Sequence, residues 1–421
     1  MQSQVEVVIT GNGLVSPIGV GNEAVWESLM QGKSGIAPLT EIAMPGYPVT
    51  FGGELTGFEG KKYVKPRKAL KVMCREIQTG FAAAAIGMEQ AGLEPGSVDP
   101  ERLGVVYGAE MMYSDFEDLR DAYNQCIEEG WYQHDRWGPS AMSETNPLWM
   151  LKYLPNMPAC HVGIYYDGRG HNNTICLEEA SAINAMAEAL AHLRRGTMDC
   201  MIAGATGSRL NLNVLLYRGD SLLSHRNDEP EKASRPFEKD RDGMVSSEAA
   251  AALVLETREK AEARGAKIIG KVLGAASTFG RVTPEAPISP EAIRNCVTAT
   301  LRDAGITADD LACVFAHGSG NIADDPLEAA GIKSALPGVP VTALKSYYGH
   351  SGSACGAVDA AVAVLALEHG KVPATLNYDT PDPDCDLPIV HGEPLSIDKR
   401  AILILSQTRK GHCAGMVIAK D

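Results

Sequence analysis

The chain has 421 residues, 45% of them hydrophobic, enough to bury a sizeable core in one large body or two fused ones. Its 38 Lys and Arg against 53 Asp and Glu give a formal charge of −15, which argues against general nucleic-acid binding because that function needs a basic footprint. Ten scattered cysteines with no CxxC argue against a disulfide framework or a zinc site and for reduced thiols in the cytoplasm.

The opening MQSQVEVVIT reads as neither a signal peptide nor a membrane span. Val5 to Thr10 is a β-branched run that predicts a strand, and Gly11-Asn12-Gly13 predicts the turn that ends it. A short helix is expected over 23–30 and a long one over 69–91, where apolar residues recur at helical spacing. Leu103 to Tyr107 reads as a strand. The stretch from about 111 to 158 is polar and aromatic, and reads as a lid or excursion. Within it, Met111, Met112, Tyr113 and Phe116 are candidates for a tunnel, an interface or plain core, and Gly130 to Trp137 for a lid or partner contact. A strand over 174–177 then leads into an alanine-rich helix over 180–195. Strands follow at 199–203 and 249–256, with a charged helical run over 257–264.

The remainder repeats this alternation. Strands are expected at 268–273, 314–316, 341–344 and 401–406, and helices at 289–304, 325–332 and 356–367. Two similar α/β halves, residues 1–256 and 257–421, with mixed sheets sandwiched by helices in layers, are the economical reading.

Six motifs in order carry a resemblance over nearly the whole chain. They are VVITGNGLVSPIG from Val7, Asn156-Met157, RPFEKDRDGMV from Arg235, AHGSG from Ala316, LKSYYGHSGSACGAVDA from Leu344, and TPDPDCDLPIV from Thr380. Together they resemble the β-ketoacyl-acyl-carrier-protein synthases, the elongating group of the thiolase superfamily. The resemblance implies a thiolase-like fold, normally a dimer, and acyl chains carried as thioesters on the phosphopantetheine arm of an acyl carrier protein, with no cofactor bound by the chain itself. It implies a cysteine nucleophile, two histidines that support decarboxylation and condensation, and a lysine that organises them. By motif position these are His317, His350 and Lys345, with Asp359 as the partner of the lysine. Imidazoles suit a site that stabilises a developing enolate, and a buried ammonium needs a carboxylate.

At the family's cysteine position, nine residues after Gly170, this chain has Glu179. Cys176, three residues earlier, falls within the expected strand and is a poor substitute. A helix N-terminus there favours an anion, but a carboxylate is a far poorer acyl acceptor than a thiolate. The family's gating loop is replaced by SQTRKGHCAG, which puts Arg409 at the gate and Lys410 after it. Arg409 is expected either to pair with Glu179, since an unpaired buried carboxylate is costly, or to bind a substrate carboxylate. The family likeness also makes Lys61, Lys62, Lys65, Arg67, Lys68 and Lys71 a docking surface for an acidic carrier protein; an ordinary charged helix face is the alternative. The leading expectation is a noncondensing ketosynthase-like protein that decarboxylates malonyl-carrier protein. The alternatives are a chain-length-factor-like partner of a cysteine-containing ketosynthase, and an unusual condensing enzyme or acyltransferase.

Overall fold

The structure, a computed structural model, describes residues 5–42 and 46–421. Ten strands form the path of its main sheet: β1 (Val7–Ser16), β2 (Leu103–Gly108), β3 (Asn172–Ile175), β4 (Cys200–Ser208), β5 (Glu248–Thr257), β6 (Gly270–Phe279), β7 (Leu311–Phe315), β8 (Val341–Thr342), β9 (Ala401–Gln407) and β10 (His412–Ala419). Their order is β8-β7-β9-β10-β6-β1-β5-β4-β2-β3, with Gly19–Val20 paired off the path to β1. β2 runs parallel to β3 and β4, whereas β5 is antiparallel to β4 and β1. β7 stands in the same relation to β8 and β9, and β10 to β9 and β6. The chain has thus built one five-stranded pattern twice and joined the copies through β1 and β6.

Helices cover both patterns alike. α1 (Arg75–Gln90) packs outside on β1, β5 and β4, and α4 (Pro290–Ala304) packs outside on β6 and β10. Between the patterns lie α2 (Ser181–Arg194) and α6 (Cys355–His369), each touching strands of both. α6 is buried continuously from Cys355 to Leu367, which explains its uniformly apolar sequence. It belongs to the one stretch among the described residues long and apolar enough to cross a membrane, Gly352–His369, and that stretch is 89% buried inside the protein. Two further helices, α3 (Leu212–Arg218) and α5 (Asp324–Ala335), flank the cavity described below.

Several expected boundaries move for physical reasons. β1 does not end at Gly11-Asn12-Gly13; it continues to Ser16, with a register shift between Ile9 and Gly11. These glycines serve close packing: a Cβ on Gly13 would lie 1.9 Å from the Ala83 carbonyl oxygen of α1, and one on Gly11 would lie 2.1 Å from that of Gly87. The long helix expected over 69–91 is two pieces, a 3-10 turn over Arg67–Val72 and then α1. The 111–158 excursion holds two short helices, Phe116–Gln125 and Trp137–Glu144, that pack on each other.

Candidate functional site

β3 hands the chain to α2 through a turn at Glu178 and Glu179. Glu178 sits at φ 50°, in the left-handed region that non-glycine residues seldom enter. The Ser181 hydroxyl braces the turn, accepting from the Leu177 N–H at 2.8 Å and donating to the Glu178 carbonyl at 2.5 Å. Glu179 is thereby buried at the mouth of α2. Cys176 lies just past the end of β3, exposed, and does not line the cavity.

His317 follows β7 in a turn held by Glu328 of α5, whose carboxylate accepts from the His317 N–H at 2.7 Å and the Gly318 N–H at 2.8 Å. Gly318 has φ 51° and its Cα lies against Ala343, where an added Cβ would come within 2.6 Å of a methyl group. Asp325 secures the same turn from Gly320 and Ser319, and also accepts from the Phe237 N–H at 2.8 Å. The RPFEKDRDGMV segment therefore contributes scaffold here. His350 is fixed by its N–H donating to the Val245 carbonyl at 2.7 Å. Its Nδ1 accepts from the Gly352 N–H at 3.3 Å, so the neutral ring carries its proton on Nε2.

The rings of His317 and His350 meet edge to face, with centroids 5.3 Å apart. Burial, then the charges of Lys345 and Arg209, hold the His317 pKa well below the usual range; burial, then Arg209, His317 and Lys345, do the same for His350. Lys345 is buried and donates to the His317 carbonyl at 2.5 Å, with Asp359 at 3.8 Å. Burial opposes its charge, but Cys355, Asp359, Glu328 and Glu179 together keep its pKa raised. Asp359 also accepts from the Tyr348 hydroxyl.

Glu179 does not pair with Arg409. Its partner is Arg209, just past the end of β4, whose Nη2 lies 2.6 Å from Glu179 Oε1 and 2.8 Å from Glu110 Oε1. His350 Nε2 stands 3.6 Å from the same Glu179 oxygen. Arg409 instead binds Asp324 at 2.7 Å, and the exposed Lys410 binds Glu178 at 2.8 Å. The Arg409 guanidinium is taken instead by Asp324, at the start of α5, while Glu179 is already satisfied by Arg209. Glu179 does have a cation, supplied not by the SQTRKGHCAG loop but by the arginine that follows the apolar, glycine-rich run CMIAGATGS, the one sequence signal that pointed to it.

Glu178, Glu179, Arg209, His317, His350 and Arg409 are among the residues that line one cavity of about 240 Å³. Among its described lining residues there is no cysteine. Arg209, Arg218, Leu222, Met244 and His350 also wall a smaller, apolar chamber of about 120 Å³, completed by Val214, Leu215 and Leu223. The excursion residues take no part in either space: Met112 is buried, while Met111 and Phe116 are exposed, and Trp131 of the Gly130–Trp137 segment is 77% exposed. The six basic residues from Lys61 to Lys71 are all exposed, with Lys61 and Lys62 tethered to Glu59 at 2.6 and 2.8 Å.

Two family models match in succession, the N-terminal domain of β-ketoacyl synthase over residues 4–261 and the C-terminal domain over 269–379. The chain belongs to the β-ketoacyl synthase family. It is 32% identical to 3-oxoacyl-[acyl-carrier-protein] synthase 2 of Synechocystis sp. over 98% of both chains, and 33% identical to that of Vibrio cholerae over 99% of both. Its fold matches the ishigamide ketosynthase/chain length factor with TM-score 0.88 at 26% identity, covering 100% of both chains. It also matches a type II polyketide synthase ketosynthase solved with its acyl-carrier protein and bound to the hexaketide (TM-score 0.82, 28% identity, 100% of both chains). The thiolase-like α/β fold expected from the motifs is the observed one, and the ketosynthase family shared by fatty-acid and polyketide synthesis is the one to which this chain is related.

Proposed function

We propose that this chain is a noncondensing ketosynthase-like subunit, in the manner of a chain-length factor, that pairs with a cysteine-bearing ketosynthase and works on acyl groups tethered to a carrier protein. One observation carries the reading: the position between β3 and α2 presents a carboxylate clamped by Arg209 at 2.6 Å, in a cavity whose described lining offers no thiolate. A carboxylate so paired is a weak nucleophile, and any anhydride it formed would hydrolyse, so stable acyl transfer to it is disfavoured. The likeness to a ketosynthase/chain length factor supports the partner role. The likeness to a ketosynthase solved with its carrier protein supports docking of a phosphopantetheine thioester, with Lys61, Lys62, Lys65, Arg67, Lys68 and Lys71 as the surface. All ten cysteines are free, which supports a reducing, cytoplasmic setting.

A second reading is favoured by a specific geometry. His317 and His350 line the cavity as neutral rings above Lys345, the arrangement that stabilises an enolate formed when malonyl thioester loses carbon dioxide. The deciding experiment offers malonyl-carrier protein to the purified chain alone, to its His317→Ala variant, and to the chain co-expressed with a cysteine-containing relative. Co-purification in a fixed ratio, with no turnover by the chain alone, is the result expected of a partner subunit. Acetyl-carrier protein formed by the lone chain and lost in His317→Ala establishes the decarboxylase instead. Acylation of the lone chain by acyl-carrier protein would overturn both.

A further inference from the structure

On the far end of α2 from Glu179, three side chains converge that the proposed function does not use. His171 lies immediately before β3, while Glu188 and His192 are one turn apart on α2, and their ligand atoms lie within 4.8 Å of one another. The His171 and His192 rings stack with centroids 3.9 Å apart and planes 25° apart. His171 Nε2 is in direct contact with Glu188 Oε1. All three are half-buried.

The stacked rings do not yet point at one shared ion, so binding requires one of them to turn out of the stack, while neighbouring groups already hold the other donors. The Thr197 hydroxyl donates to the His192 carbonyl at 3.0 Å, so its oxygen accepts the His192 Nδ1 proton at 2.9 Å. That fixes the tautomer and leaves Nε2 of His192 with a free lone pair. Asn173 donates to both oxygens of Glu188, at 3.0 and 3.2 Å, holding the carboxylate without neutralising it. A cation would take the place of the direct contact between His171 Nε2 and Glu188.

From this geometry we propose that His171, Glu188 and His192 form a binding site for a divalent transition metal ion of the zinc class. Two imidazole nitrogens and one carboxylate match zinc's ligand preferences, and three protein ligands leave a fourth position for water. Bonds of roughly 2.1 Å at tetrahedral angles place donors about 3.4 Å apart, so separations that reach up to 4.8 Å must close by more than an ångström, through rotation of the side chains. The ion would clasp the edge strand β3, which among the described residues pairs with β2 alone, to α2. Those are the two elements that meet at Glu179. The expectation of no zinc site rested on cysteine spacing, and this set contains no cysteine.

The test is equilibrium dialysis of the full chain against Zn²⁺ with elemental analysis, repeated with Co²⁺ to read the visible spectrum. One ion per chain is expected, with a Co²⁺ spectrum lacking a thiolate charge-transfer band and a rise in Tm on loading. His192→Ala and Glu188→Gln should abolish both uptake and the Tm rise while keeping the wild-type circular dichroism. Thr197→Val should weaken binding about 10–100-fold by releasing the tautomer, and Cys176→Ser should change nothing. Uptake that survives both ligand variants, or no uptake by the folded wild-type chain, overturns the site.

Discussion

Arg209 holds two carboxylates on one buried guanidinium, and removal of such a hub leaves charge with no compensation. Arg209→Met is expected to cost about 3–5 kcal/mol in urea unfolding, whereas Arg409→Met, which takes one partly exposed arginine from the buried Asp324, should cost less, about 1–3 kcal/mol. The two histidines set a pH dependence. Their folded pKa values are depressed by burial, so below about pH 6.5 the unfolded chain binds more protons than the folded one. The histidines' share of stability therefore falls as pH drops through that point, by up to about 1.4 kcal/mol per pH unit for each ring, and is constant above it. Buried Glu328 and Asp325, raised by burial to about 7 and about 6, act in the opposite sense over the same window, so His350→Gln should lower the net slope by up to about 1.4 kcal/mol per pH unit, read by urea unfolding between about pH 5 and 6.5. His317, His350 and Lys345 were legible because each sits in a short motif whose glycines fix the local backbone. Arg209 was not, because a buried charge finds its partner across the fold: 30 positions separate it from Glu179 and 99 from Glu110.

At the scale of elements, the contact between β1 and α1 is backbone on backbone. Gly13→Ala would drive a methyl into the Ala83 carbonyl at 1.9 Å, and the helix must lift. We expect a loss of at least about 1–3 kcal/mol by thermal unfolding, against little change for Ala85→Ser on the partly buried side of the same helix. Strand and helix existence was readable from apolar runs and helical spacing. The glycines of β1 were misread as a turn because Gly-Asn-Gly is a turn signal whenever nothing else is known; only the neighbouring helix, rich in Ala and Gly at positions 80–87, shows why side chains are missing there. The helices of the excursion went unread because Phe116–Gln125, though amphipathic, is short and polar, and Trp137–Glu144 carries a glycine and a proline in its first turn.

Across the whole molecule, a charge of −15 would repel an acidic carrier were it not for the exposed basic stretch from Lys61 to Lys71. Under the proposed function, Lys65→Glu with Lys68→Glu should slow carrier association about tenfold or more and flatten its salt dependence, with little effect on dissociation; rapid-mixing fluorescence would read both. The doubling of the five-stranded pattern could be expected from the recurring order of strands and helices, but its sequence repeat is too weak to align, since each copy needs only the same polarity pattern. The central position of α6 carries a further consequence, for biosynthesis. This apolar helix is complete at residue 369, yet β9 and β10 occupy residues 401–419, so one of its walls is made last. A nascent chain must hold a greasy helix uncovered until its final strands leave the ribosome. Chains released early, before residue 401, should be caught by chaperones or aggregate, while the full-length product escapes both.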